Sequence, residues 1–253
     1  MLGKQGAVKE RLSSLAPLSA RDTDLLARLC SRQRTVKRHA DLSTDGQADP
    51  SVYFLHEGWA ARYKLFPDGR RQILMFAVPG DVVGLHQLLN DAAGESLATM
   101  TEMRLSQAPR DAVVDTMRQR HGLALALWRS LEQEQAILAE HLASLGRRGA
   151  LQRIGHLLLE LRQRLVVTGE GSHAAFDCPL TQYELADALG LTAIHVNRVI
   201  RQLREQGLAT IDHRRVTIHD VDALAAVAEF DGRFLARSPG GVPEWLRRRS
   251  TRG

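Results

Sequence analysis

Between Leu180 and Ile218 the chain carries residue types that can read the edges of base pairs. On a helix beginning near Thr192, a step of about 100° per residue puts Ile194, Arg198, Arg201 and Glu205 on one side, flanked by His195 and Asn197. An Arg guanidinium can donate two hydrogen bonds to guanine, an Asn amide can pair bidentately with adenine, and an aliphatic side chain can touch a thymine methyl. The opposite side holds Val196, Val199, Ile200 and Leu203, an apolar stripe that needs a core. Any surface helix shows a solvated polar face, so these side chains alone do not separate base reading from plain exposure. The elements that position them do.

Thr181-Gln182-Tyr183-Glu184 forms a capping box, in which the Thr hydroxyl and the Glu carboxylate satisfy free amides at a helix start. Leu185, Ala186 and Leu189 give that helix an apolar side, and Gly190 ends it where a left-handed residue makes a tight turn. Thr192 is an N-cap for the next helix, which Gly207 stops. Two short helices joined by a Gly turn spell a helix-turn-helix. Leu208–Ile211 and Val216–Ile218 then read as a hairpin with a basic tip, a wing that places Arg214 and Arg215 against phosphate. The expected contacts to double-stranded DNA are Thr181, Gln182, Thr192, Ala193, Ile194, His195, Asn197, Arg198, Arg201, Arg214 and Arg215.

The rest of the chain has to carry this unit. Short helices are expected from about Leu12 to Arg32. From Val52 the texture is β: Val52–Leu55, then Trp59–Phe66, the hairpin signal Asp68-Gly69, the return strand Gln72–Phe76, and a turn at Pro79-Gly80-Asp81 before Val82-Val83-Gly84. Short strands with Gly-containing turns suggest a sandwich, jelly roll or barrel. From Ala124 a heptad follows: Ala124, Trp128, Leu131, Gln135, Leu138, Leu142, Leu145. Alternating spacings of four and three are those of a coiled-coil seam, and the polar Gln135 can fix its register, so a parallel homodimer is expected. Gly146-Arg147-Arg148-Gly149 interrupts the periodicity as a hinge; a helix with Leu151, Ile154, Leu157, Leu158 and Leu161 follows, then a loop at 169–172. The fold class is α+β. The division is a sensor with N-terminal helices over 1–110, a dimerisation helix over 111–146, a winged helix-turn-helix over 147–230 and a flexible basic tail over 231–253.

The 253 residues are 44% hydrophobic and 25% charged, with a net charge of +5. That charge permits a nucleic-acid partner without demonstrating one. The charged N-terminal stretch and the lack of a run of about 20 apolar residues point to a cytoplasmic protein with no membrane partner. Cys30 and Cys178 are isolated, so no disulfide framework or zinc site is spelled out. No nucleophile elbow, Walker loop or catalytic triad occurs, and no enzyme is expected. A cupin-like metalloenzyme would need paired metal-ligand histidines such as His-x-His, which the β-rich half lacks. An adaptor whose winged helix binds protein is disfavoured by the basic wing.

The order of parts resembles the cyclic-AMP receptor protein/Fnr (Crp/Fnr) family of transcription regulators over roughly residues 20 to 230. The resemblance rests on Gly58 with Tyr63, Asp68-Gly69-Arg70, Gln72-Ile73-Leu74, Pro79 through Gly84, Leu180 through Ala186, and Val196-Asn197-Arg198. It implies a jelly-roll, cyclic-nucleotide-binding-like sensor, a dimer helix, and a second motif helix that reads an inverted repeat. RNA polymerase is the further partner implied. The candidate effector pocket is Gly80, Val83, Gly84, Leu85, His86, Gln87, Ser96 and Leu97.

The departures concern ligand and operator. Members that bind cyclic nucleotides carry a Glu just after the Pro-Gly-Asp segment and an Arg about a dozen residues on; this chain has Leu85-His86-Gln87 and then Glu95 with no Arg. A buried phosphate without its guanidinium lacks its bidentate partner. Cyclic AMP is therefore not expected, and two distant cysteines do not supply an iron–sulfur cluster. His39, His56, His86 and His121 leave haem open, though no cofactor is expected. Where many members place a Glu in the reading helix stands Ile194, so the operator should differ, with Asn197 and Arg198 the best-preserved readers.

Overall fold

The computed structural model describes residues 6–48, 51–89 and 92–235. Helices α1 (Gly6–Leu15) and α2 (Ala20–Leu29) lead into eight strands: β1 (Gln33–Val36), β2 (Asp41–Ser43), β3 (Ser51–Glu57), β4 (Ala60–Leu65), β5 (Arg71–Ala77), β6 (Val82–Val83), β7 (Ser96–Thr99) and β8 (Met103–Pro109). They form two antiparallel four-stranded sheets, in the orders β1-β8-β3-β6 and β2-β7-β4-β5, which together make the expected jelly roll. In β3, Tyr53 and Leu55 face the space between the sheets with Val83 and Leu97. Val52 and Phe54 face the other way, under Val8, Leu12 and Leu26 of α1 and α2. A strand covered on both faces has no solvent side, so its sequence is a continuous apolar run rather than an alternation. Asp68-Gly69 does turn the β4–β5 hairpin, with Gly69 at φ +82°. The register of that hairpin shifts between Arg62 and Tyr63.

The segment expected as one dimer helix from 111 is two helices. α3 (Arg110–Gln119) and α4 (His121–Arg147) are separated by Arg120 in an extended conformation, φ −136°, ψ 100°. The hinge is also shorter than four residues. α4 continues through Gly146 and Arg147, and only Arg148 and Gly149 are extended before α5 (Ala150–Thr168). Arg153 staples the joint: its guanidinium donates to the carbonyls of Arg148 (2.8 Å), Leu145 (3.0 Å) and Leu189 (2.9 Å).

The C-terminal region adds β9 (Ala175–Asp177), α6 (Gln182–Leu189), α7 (Ala193–Glu205), β10 (Ala209–Asp212), β11 (Arg215–Ile218) and α8 (Val221–Ala228). β9 is the third strand of the wing sheet, order β10-β11-β9, and no reading of the sequence had placed it. The start of the expected basic tail is folded: a 3-10 turn at Gly232–Leu235 returns to α4, where Leu235 packs with Met75 and Ile137 and its carbonyl accepts from Gln133 Nε2 at 3.1 Å. The arginines of the tail at 247–249 and 252 lie outside the described residues. One hydrophobic core runs through both halves, joining Trp59, Ile73 and Phe76 of the sensor to Leu158 and Leu161 of α5 and Val196 of α7.

Candidate nucleic-acid interface and sensor interior

The motif forms as its caps dictate. Thr181 Oγ1 accepts from the amide of Glu184 at 3.2 Å while Glu184 Oε2 accepts from the amide of Thr181 at 2.6 Å. Gly190 closes α6 at φ +62°, and a Cβ there would meet Leu145 at 3.3 Å, so turn and packing both favour glycine. Thr192 Oγ1 accepts from the amide of His195. Val196, Val199 and Leu203 are buried, which leaves Ile194, Asn197, Arg198 and Arg201 exposed together as expected. Ala193 and His195 are half-buried at the edges of that face. Asn197 Nδ2 donates to Gln182 Oε1 at 3.2 Å, so the starts of α6 and α7 are joined through two expected contacts. Arg201 lies 3.6 Å from Glu205, an exposed pair that costs little to open.

The wing turns through His213 (φ 46°) and Arg214 (φ 61°), between the paired residues Asp212 and Arg215. Two left-handed residues make a type I′ hairpin turn, which non-glycine side chains enter only at some cost. The turn projects Arg214 and His213 outward, while Arg215 Nη1 donates to Asp177 at 2.8 Å.

α4 divides its faces. Leu123, Ala126, Leu127, Gln133, Glu134 and Ile137 are buried against the sensor. Along the heptad, Trp128 is 57% and Leu142 73% exposed, Gln135 is exposed, and Ala124, Leu131, Leu138 and Leu145 are half-buried.

The expected effector residues do not line one chamber. Val83 and Leu97 fill the space between the sheets, whereas Leu85 packs on the other side with α1 and α2. Gly80 is buried and Ser96 Oγ accepts from the amide of Asp45. Gln87 and His86 are half-buried, 3.0 Å apart at Nε2 and Nε2. Gly84 is a left-handed corner at φ +98°. What lies beside His86 is a cluster of charges that sequence reasoning missed. Arg62, on β4 at the register shift, donates through Nε to Glu95 and through Nη1 to Glu134 of α4. His86 lies 3.0 Å from Glu95 and 3.4 Å from Glu134. Burial alone would raise the Glu95 pKa, but His86 and Arg62 outweigh it and hold it at about 2. Burial wins at Glu134, whose pKa is raised although Arg62 lies against it.

A second buried group joins the halves. Arg164 of α5 is fully buried and donates to Glu160 (2.8 Å), to Asp81 (2.5 Å) and to the carbonyl of Phe76 (2.8 Å). Asp81 also accepts from the amide of Val78 and pairs with Arg11 of α1. His141 of α4 faces the Leu74 carbonyl at Nδ1 (3.0 Å) and Glu160 at Nε2 (2.7 Å). Both ring nitrogens meet acceptors, so the ring is held as a cation; Glu160 raises its pKa against the opposing effect of burial. Glu160 is itself held at about 2, since His141 and Arg164 overcome its burial. α1, α4 and the turn at Asp81 thus meet on α5 through charge. Only the Glu160–Arg164 pair, four residues apart on α5, lies within reach of spacing; the partners Asp81, Arg11 and His141 are distant in sequence.

The other histidines are spread out. His39 and His121 are exposed, and His56 is buried with Nε2 2.7 Å from Ser106 Oγ. Cys30 and Cys178 are both buried in separate clusters, and burial pushes each thiol up to about 12. Among the described residues no helix is long and apolar enough to cross a membrane, and no group of three or more His, Cys, Asp and Glu is placed to hold a metal ion.

Comparison with known proteins agrees with this geometry. The model of the Crp-like helix-turn-helix domain matches residues 152–227, and that of the cyclic nucleotide-binding domain matches residues 33–120. The nitrogen fixation regulation protein FixK of Azorhizobium caulinodans is 32% identical over 207 residues, covering 81% of this chain and 82% of its own length. The transcriptional activatory protein AadR of Rhodopseudomonas palustris is 32% identical over 219 residues, covering 85% and 90%. Among solved structures, FixK2 from Bradyrhizobium japonicum superposes with a TM-score of 0.70 at 25% identity, covering 77% of this chain and 96% of its own. With a nucleotide-binding-type jelly roll, a helix-turn-helix and relatives of this closeness, the chain belongs to the Crp/Fnr family and is a transcription regulator with a helix-turn-helix DNA-binding domain.

Proposed function

We propose that the chain works as a parallel homodimer, joined along the α4 heptad, whose two α7 helices enter successive major grooves of an inverted repeat. The exposed apolar stripe of α4 carries this reading. Trp128 and Leu142 lie bare on a helix whose opposite face is already buried on the sensor. Apolar groups repeating at four and three residues are what a second copy of the same helix would cover. Half-sites about one helical turn, ~34 Å, apart follow from two-fold symmetry. RNA polymerase is the further partner in this reading, and the protein acts in the cytoplasm and catalyses no reaction.

The sensor interior does not fit a cyclic nucleotide. Arg62, the buried guanidinium that a phosphate would need, is already satisfied by Glu95 and Glu134, which would repel an anion. The buried, separated cysteines do not fit an iron–sulfur cluster, and His56 and His86 already have protein partners, so haem is not part of this reading either. A signal acting on the sensor would reach α4 through Glu134 and α5 through Asp81. Selection of duplexes from a random pool by the purified protein, with its mass in solution measured in parallel, tests the reading. An inverted repeat bound by a dimer supports it; a monomer, or equal affinity for all duplexes at moderate salt, overturns it.

A further inference from the structure

Ile194 is the least explained side chain on the reading face. It lies in the first turn of α7, 85% exposed, on the side shared with Arg198 and Arg201. The core does not need it, because Val196, Val199 and Leu203 supply the buried stripe. It is not the apolar staple of the helix start either, since the positions that pair there are Leu191, before the cap, and Val196. A β-branched residue also lowers helix propensity slightly relative to most alternatives. Local folding therefore gives no reason for an isoleucine here.

Its neighbours narrow the choice of ligand chemistry. Asn197 is tied to Gln182 and Arg201 is near Glu205, while Arg198 makes no hydrogen bond or ion pair among the described residues. Ile194 and Arg198 are one helical turn apart, and both are exposed. In the major groove the apolar feature that a base pair offers is the C5 methyl of thymine. We infer that Ile194 reads the methyl group of one thymine in each half-site, next to the base that Arg198 reads. The inference rests on the DNA-reading role of α7 proposed above and adds to it a named base and a named atom.

Deoxyuridine differs from thymidine only in lacking this methyl. The operator recovered from the random pool would be remade with each thymine in turn replaced by uracil, and binding of the full-length protein measured. At one thymine per half-site the affinity should fall roughly fourfold, and roughly 16-fold when both half-sites are changed, as expected for losing one buried methyl contact each time. Ile194→Ala should bind the thymine operator more weakly by a similar factor and no longer respond to uracil there, with its thermal melting unchanged. Uracil tolerated at every thymine, an unaltered thymine-to-uracil ratio in Ile194→Ala, or a half-site without thymine would overturn the assignment. An inverted repeat bound tightly but indifferent to uracil removes this assignment alone; absence of any selected sequence removes the DNA reading with it.

Discussion

The exposed face of α7 and the buried charges around Arg164 solve opposite problems with similar side chains. On α7, arginines are held exposed by a helix whose folding does not depend on them, Arg198 open toward solvent and Arg201 near only the exposed Glu205. Around Arg164, every charge is spent on another: one guanidinium meets two carboxylates and a carbonyl, and one imidazole meets a carboxylate and a carbonyl. Groups kept for a ligand cost little to remove from the fold, whereas groups spent on each other leave a stranded charge when one is lost.

That difference can be broken experimentally, beginning with the largest effect. Arg164→Met removes the cation that Asp81 and Glu160 share, leaving Asp81 with Arg11 and the Val78 amide and Glu160 with His141 alone. Unfolding in urea should show a loss of about 3–5 kcal/mol, the usual outcome of breaking a buried pair from one side. A loss below 1 kcal/mol would mean that the network is dispensable. Trp128→Lys with Leu142→Lys tests the α4 stripe instead. Sedimentation should show monomers at concentrations where the parent chain dimerises, with little change in far-ultraviolet circular dichroism; dimers of undiminished affinity would place the partner elsewhere.

Arg198→Ala should cost about 1–3 kcal/mol in specific DNA binding while leaving the melting temperature alone. If sequence preference survives unchanged, Arg198 is not a reader. His156 sharpens the buried side through pH. Its ring is buried against Phe230 and Phe234, and burial, reinforced by Arg148, depresses its pKa to about 4. The unfolded chain, with a histidine pKa of about 6.5, takes up that proton first, so the contribution of His156 to stability should be full above pH ~6.5 and decline toward pH ~4. His56, also at about 4, acts in the same direction. His156→Gln should flatten part of this slope, whatever it does to the overall stability. The smallest effect is expected at the wing: Arg214→Ala should weaken binding to all sequences alike and lower the salt slope by about one per protomer.

The DNA-reading unit was legible from sequence because its determinants are local. Thr181 with Glu184, Gly190, and Thr192 with the amide of His195 all act within a few residues, so spacing alone places α6 and α7 and decides which side of α7 is exposed. The heptad of α4 was legible for the same reason, as period by itself separates its two faces. Spacing did not tell which side of the sheet each effector candidate takes: Val83 and Leu85 are close in sequence yet fall on opposite sides. The break at Arg120 was missed because its partner is distant in sequence: Arg120 Nε donates to Asp22 of α2 at 2.8 Å, and Gly122 just after it packs against the same carboxylate.

What the amino-acid order determined alone was therefore a set of locally marked elements with their caps and apolar faces: strands β3 to β6, the apolar stripe of α4, and the capped helix pair with its two-stranded wing. What only the tertiary structure decided was which distant groups share a site: Arg62 with Glu95 and Glu134, Arg164 with Asp81, His141 with Glu160 and the carbonyl of Leu74. The physical reason is range. Caps and periodic stripes act over one or two turns of chain, whereas a buried ion pair forms only after folding has excluded water around it.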